Sequence, residues 1–129
     1  MPFDFNNYEA FGKSLLENGT DEVHFRNSVS RGYYSFFHKV KKILGYSDKT
    51  VINHIDLINE LRSDRRLKGG AKLSNFMKTC KTHREAADYY MEPKESHISF
   101  KNNRFCQQFW VGYDEFVRIL NQEQIQKEE

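Results

Sequence analysis

Apolar residues recur at helical spacing along almost the whole chain. Between residues 20 and 45 they form one stripe with intervals of three, four and seven, which predicts a long amphipathic helix. That stripe consists of Phe25, Val29, Phe36, Val40 and Ile43. Similar spacing predicts helices over about 7–18, from Ser47 or Thr50 onward, over about 73–91, and from about 104 into the 120s. Thr20 is the predicted N-cap of the long helix.

These elements predict an all-α fold, a four- to five-helix antiparallel bundle, because no segment has the alternation typical of a strand. One domain is expected over residues 1–121. The remaining residues, 122–129, are polar and are expected to form a frayed C-terminal tail.

Polar residues line the other side of the long helix at intervals of four and three. They lie within roughly 80° of one another on a helical wheel. The set is His24, Ser28, Arg31, Ser35, His38 and Lys42. Small side chains along this seam predict close approach of another surface, so the seam is interpreted as an interface, a cleft or both. Gly32 fits either a close helix crossing or room for a substrate or partner, whereas Tyr33 and Tyr34 are expected to point away.

An arginine and a histidine on one helix face can together hold a phosphate and move a proton. Arg31 and His38 are seven positions apart, close to two helical turns, so their side chains share a face. Cleavage of a phosphodiester without a metal needs a base, an acid and positive charge. One chain supplies one histidine on this motif, and a two-fold dimer would supply the second.

Composition narrows the class of protein. The 129 residues suffice for one core without disulfides, and Cys80 and Cys106 lack the spacing of a metal knuckle, so buried packing is expected for both. The chain has no long apolar run and no signal-peptide pattern, which predicts a cytoplasmic protein with reduced thiols and no membrane association. It also has no HExxH motif, and neither a metal site nor a cofactor is predicted.

Basic residues concentrate between residues 62 and 84. This segment contains eight lysines and arginines and a single acidic residue, Asp64. Such segregation in a chain of net charge +2 predicts a surface for a polyanion. A solvated helix face with a basic loop remains the alternative. The predicted RNA-binding residues are Lys42, Arg62, Arg65, Arg66, Lys68 and Arg84.

The nine residues from Ser30 to His38 read Ser-Arg-Gly-Tyr-Tyr-Ser-Phe-Phe-His. This run resembles the HEPN family of small helical proteins from prokaryotic defence and toxin–antitoxin systems, which carry an arginine, four to six intervening residues and a histidine. The run Arg-Glu-Ala-Ala-Asp-Tyr at 84–89 is similar to an Arg-x-x-Ala-Asp-Tyr element of such chains. The resemblance covers about residues 5–121.

The resemblance implies a homodimer in which the Arg–His motifs of two chains meet in a cleft, and a metal-independent endoribonuclease that acts as a toxin or in phage defence. Arg31 and His38 would be catalytic, with support from Ser28, Ser35 and Asp88. An antitoxin of the nucleotidyltransferase type is an implied partner. In members that are silenced by tyrosine nucleotidylation, the tyrosine lies two residues after the histidine, where this chain has Val40.

A different class of function stays open from the same residues. In that alternative the chain is a non-catalytic HEPN-like binding module, or a regulatory subunit, that binds a partner protein, a nucleotide or a nucleic acid.

Overall fold

The computed structural model describes residues 6–47, 49–94 and 97–128, with side chains from residue 7 to residue 123. Within these ranges the chain forms five helices and no strand, which confirms the prediction of an all-α bundle. The helices are α1 (Asn6–Asn18), α2 (Glu22–Ile43), α3 (His54–Ser63), α4 (Gly70–Tyr89) and α5 (Arg104–Glu128). Among the described residues, no helix is both long enough and apolar enough to cross a bilayer.

Helix α2 lies at the centre of the bundle and contacts all four other helices. Its predicted apolar stripe is entirely buried. Helices α1 and α4 run antiparallel to α2, since Gly12 bonds to Ser28 and Asp88 bonds to Ser30. Helix α5 runs in the same direction as α2: Cys106 lies near Phe25, and later residues of both helices meet further along. The antiparallel prediction therefore does not hold for this pair.

Several helices begin at residues other than those predicted. Asp21, not Thr20, is the N-cap of α2, because its carboxylate accepts a hydrogen bond from the backbone N–H of His24. Helix α3 begins only at His54, since the side chain of Asn53 caps it by accepting from the N–H groups of Ile55 and Asp56. Residues 47 and 50 therefore precede this helix.

Helix α5 extends beyond residue 121, the predicted end of the bundle. Helix α5 continues to Glu128, so the predicted frayed tail is helical as far as the structure describes it. Glu123 is buried, and its carboxylate accepts from the backbone N–H groups of Lys68 and Gly69. Because Gly69 has no side chain with which to cap α4, this carboxylate provides the negative charge at that helix N-terminus.

Small residues of α2 let α5 approach closely. A Cβ atom on Gly32 would lie 2.4 Å from Cε1 of Phe109 and 3.0 Å from Cη2 of Trp110. Beside it, the Ser28 hydroxyl accepts a hydrogen bond from Trp110 Nε1 at 2.8 Å and donates one to the Gly12 carbonyl at 2.6 Å. Gly32 is therefore a close helix crossing within the chain, which decides between the two interpretations of this residue.

Replacing Gly32 by alanine should destabilise the protein, since the added methyl group meets an aromatic ring in the core. Overpacking of this kind costs about 1–3 kcal/mol. Gly112→Ala is the matched control, because its Cβ would lie 3.4 Å from Phe76, an ordinary contact at the edge of close packing. There the helix propensity of alanine should offset any strain. Thermal denaturation should give a lower Tm for Gly32→Ala than for Gly112→Ala, and equal Tm values would contradict the crossing.

Candidate functional site

Arg31 and His38 meet the same aromatic ring of α1. The guanidinium carbon of Arg31 lies 5.5 Å from the centroid of the Tyr8 ring. The imidazole of His38 stacks on that ring, with 6.4 Å between centroids and 26° between planes. Since the two residues are about 10 Å apart along the helix axis, Tyr8 spans the gap between them. The structure thus brings the predicted pair together and adds a third residue to it.

The guanidinium of Arg31 has an unused donor. Its Nε is buried and has no hydrogen-bond partner among the described residues. A buried donor on a charged group that lacks an acceptor is costly, and a cation–π contact of about 0.5–2 kcal/mol offsets only part of that cost. Arg31 as a whole is partly exposed, so a phosphate or a carboxylate from solution would bind the exposed part of its guanidinium and not the covered Nε.

Tyr34 lies between Arg31 and His38, three residues after the first and four before the second. Those spacings make residues neighbours on a helix surface. Tyr34 is partly exposed, whereas Tyr33 is fully buried. Both rings lie against Arg84 and His54. By position along the helix, Tyr34 is nearer to the Arg31–His38 pair than Tyr33 is.

Arg84 is buried at the α2–α4 contact, with only 8% of its surface exposed. Its guanidinium carbon lies 5.5, 5.7 and 5.5 Å from the ring centroids of Tyr33, Tyr34 and Tyr89. Burial alone lowers the pKa of Arg84, but the nearby Tyr34 phenol and the hydrogen bond to Tyr89 raise it, and the net direction is upward. The prediction of Arg84 as a surface contact for RNA is wrong, because the aromatic rings enclose it.

Asp88 belongs to the same cluster. Its Oδ2 accepts a hydrogen bond from the Ser30 hydroxyl at 3.2 Å and lies 3.7 Å from Nη1 of Arg84. Nη1 also donates to the hydroxyl of Tyr89 at 3.3 Å. Asp88 was predicted to support the Arg31–His38 pair, but these contacts tie it to Arg84 and to the residue before Arg31. It therefore connects α4 to the motif without touching the pair through any of these bonds.

Tyr33, which is buried, and His54, which is partly buried, form a polar pair between α2 and α3. The Tyr33 hydroxyl and His54 Nδ1 are hydrogen-bonded at 2.5 Å, and the rings stack with 8° between their planes. Burial raises the pKa of Tyr33 far above its ordinary value, so its phenol stays protonated. Burial, with Arg84 and Lys81 nearby, lowers the pKa of His54. The sequence suggested no partner for His54, since the two residues are 21 positions apart.

Ser28 and Ser35 lie in the core of the chain and not at an open seam. The hydroxyl of Ser35 is hydrogen-bonded to that of Tyr113 at 2.6 Å, and Ser28 bonds to α1 and α5. Both serines are at most 1% exposed. They cannot support a reaction at Arg31 and His38 directly, and their small size serves packing within one chain. A partner chain would have to meet the pair at its exposed edge.

The basic residues between 62 and 68 differ in whether their side chains already bond to other residues of the chain. Arg66 holds both carboxylate oxygens of Asp64, and Arg62 donates to Ser74 and Asn75. The exposed side chains of Arg65, Lys68 and, on α2, Lys42 form no ion pair with another described residue. These three side chains are best placed to contact a polyanion.

Both cysteines are buried free thiols, as predicted. Burial raises the pKa of Cys80 and of Cys106, so neither thiol is reactive near neutral pH. Among the described residues, no group of three or more histidine, cysteine, aspartate or glutamate side chains is arranged to hold a metal ion.

Comparison of the chain with protein-family models, with curated proteins and with solved structures finds no match.

The sequence pattern missed Tyr8, although a signal for it exists. Helices α1 and α2 fold back on each other about residues 19–21, which places Gly12 opposite Ser28. Continuing that register by four residues along α1 places Tyr8 opposite the turn of α2 that begins near Gly32. The hairpin register therefore predicts an aromatic ring beside the Arg31–His38 pair.

His54 should make the stability of the protein depend on pH. Its pKa is 6.5 in an unfolded chain and lower in the folded one, so the unfolded state binds a proton first as the pH falls. The free energy of unfolding should therefore decrease below pH 6.5 until the pH reaches the folded pKa. Urea denaturation between about pH 7.5 and pH 5 measures this decrease.

The variant His54→Gln should reduce the slope of stability against pH, whatever its stability at neutral pH. His97→Gln is the matched control, since His97 is exposed. If both variants keep the wild-type slope, the acid sensitivity does not come from His54.

Proposed function

We propose that the protein is a metal-independent endoribonuclease whose Arg31 binds the scissile phosphate and whose His38 transfers a proton. The observation that carries the proposal is that Arg31 and His38, both partly exposed, contact the same aromatic ring, that of Tyr8. A phosphodiester would bind the guanidinium of Arg31 at its exposed edge. The resemblance to HEPN proteins at Ser30–His38 supports the same assignment.

In the proposed reaction the ribose 2′-hydroxyl attacks the phosphorus atom as a base removes its proton. The 5′-oxygen leaves as an acid protonates it, and the products are a 2′,3′-cyclic phosphate and a 5′-hydroxyl. Arg31 would stabilise the charge on the pentacoordinate phosphate through paired hydrogen bonds. His38 would serve as base or acid, because imidazole titrates near neutral pH. DNA would resist cleavage, since it has no 2′-hydroxyl.

A homodimer is part of the proposal, because the reaction needs a second group that transfers protons. Two chains that meet at the exposed edge of Arg31 and His38 would place two histidines at one cleft. The buried serines of α2 would take no part in this contact. The toxin or phage-defence role, with an antitoxin as partner, is proposed on the HEPN resemblance alone.

A second candidate, a binding module without catalysis, is favoured by the same partly exposed arginine. Arg31 would hold an anion whether or not His38 acts on it. Catalysis and binding are therefore measured separately on the same variants.

Wild-type protein should cleave total RNA in excess EDTA, and His38→Ala should lose about a hundredfold or more of that rate, as expected for loss of a proton-transfer group. Arg31→Ala should lose both cleavage and RNA affinity. His97→Ala, which removes an exposed histidine, is the matched control and should cleave normally. Gel analysis of the products and circular dichroism of each variant make the comparison.

Mixing Arg31→Ala and His38→Ala chains should restore part of the activity if each cleft draws on both chains. Expression of the wild type, but of neither variant, should slow host growth. Undiminished cleavage by both variants rules out the catalytic assignment. RNA binding without cleavage by the wild type favours the binding module.

Arg65→Gln should weaken RNA binding and reduce the slope of log affinity against log salt by about one, because each phosphate contact releases counterions. Arg66→Gln is the matched control, since Asp64 already occupies the Arg66 fork. Arg66→Gln should change the slope of log affinity against log salt less than Arg65→Gln does. An unchanged slope in Arg65→Gln would instead indicate that this loop docks an acidic protein partner.

A further inference from the structure

We propose that Tyr89 and Tyr34, both held against the guanidinium of Arg84, form a platform that stacks an unpaired nucleobase beside the Arg31–His38 pair. This inference rests on the proposed function, and it specifies the substrate as single-stranded RNA.

Tyr89 is a large aromatic side chain that is both exposed and fixed. It is 71% exposed, yet its hydroxyl accepts a hydrogen bond from Arg84 at 3.3 Å and its ring lies 5.5 Å from the guanidinium carbon. The guanidinium of Arg26 binds the carbonyl oxygens of Ala86, Ala87 and Tyr90, which anchors this end of α4 to α2. An exposed ring on an anchored helix end presents a flat apolar face at little cost in conformational entropy.

The platform adjoins the pair through Tyr34. That residue is a surface neighbour of both Arg31 and His38, and its ring lies 5.7 Å from the guanidinium carbon of Arg84. The hydrogen bond between Ser30 and Asp88 holds α4 next to the residue that precedes Arg31. A phosphate on Arg31 would therefore lie close to the aromatic rings. A phosphate and a neighbouring base of one RNA strand are close together in the same way.

The chemistry of the cluster favours a base over an apolar peptide side chain. Aromatic rings held against a guanidinium offer stacking and cation–π attraction to any nucleobase. Arg84 is nine-tenths buried, so it acts by fixing the rings of Tyr34 and Tyr89 and not by contacting the base itself. Bases in a duplex stack on one another and cannot reach such a platform, so the preference should be for unpaired RNA.

The test uses the wild-type chain and a fluorescent 2′-O-methyl oligoadenylate of about 12 nucleotides, within the usual site size of such surfaces. The methyl group blocks the attacking hydroxyl, so binding is measured whether or not the protein cleaves RNA. Tyr89→Leu should weaken single-strand binding about tenfold in fluorescence anisotropy. Tyr89→Phe should stay within about twofold of the wild type, because it keeps the ring. The same strand paired with its complement should bind all variants equally.

Tyr90→Leu is the matched control, since Tyr90 is partly exposed on the same helix end but its ring contacts Lys94. It should bind the single strand as the wild type does. Tyr34→Leu, checked by its melting temperature, should reproduce the loss seen with Tyr89→Leu.

Unchanged single-strand affinity in Tyr89→Leu would overturn the platform, as would an equal loss for single and double strands or an equal loss in Tyr89→Phe. A Tyr89→Leu variant that binds RNA normally but loses a protein partner would do the same. If Arg31→Ala and His38→Ala cleave normally while Tyr89→Leu binds weakly, the assignment of catalysis to Arg31 and His38 fails and the platform stands. If Tyr89→Leu binds normally while Arg31→Ala and His38→Ala are inactive, the platform fails and the assignment of catalysis to Arg31 and His38 stands.

Discussion

The close contact between α2 and α5 sets the geometry of the whole bundle. Gly32 leaves room for the rings of Phe109 and Trp110, and Ser28 and Ser35 bond to aromatic side chains of α5 across the same contact. Because a bond from Ser28 continues to Gly12, one hydroxyl joins three helices. A larger side chain at any of these positions would push α5 away and expose polar groups that now satisfy each other.

That contact also decides which part of α2 remains available for chemistry. Helix α2 is packed against α5 on its small-residue face and against α4 on the face of Ser30 and Tyr33. The partly exposed row of Arg31, Tyr34 and His38 lies between these contacts, next to α1. The Ser30–His38 motif therefore divides between two roles, with Ser30 and Tyr33 fixing α4 and the row of three forming the candidate site.

The two arginines of the site region, Arg31 and Arg84, lie in different environments. Arg84 is enclosed by three tyrosine rings and bonds to Tyr89, with the carboxylate of Asp88 at 3.7 Å. Such an environment repays much of the cost of burying a charge, which is several kcal/mol for an unpaired ion. Arg31 contacts one aromatic ring and is partly exposed. The Nε atoms of both arginines lack an acceptor among the described residues, so the difference between them is that an anion can reach Arg31 from solution.

The sequence by itself determined the helical class, the buried stripe of α2 and the shared face of Arg31 and His38, because local spacing alone sets these properties. Only the tertiary structure decided what lies opposite each face. Arg84 has the composition of a surface residue but is buried, since rings from two helices surround it. On a helical wheel Ser28 and Ser35 lie on the same side of α2 as Arg31. In the structure, α1 and α5 cover both serines. His54 meets Tyr33 through a contact between separate helices, which no local pattern encodes. Tyr8 meets Arg31 because α1 folds back on α2, which fixes the register of the two helices.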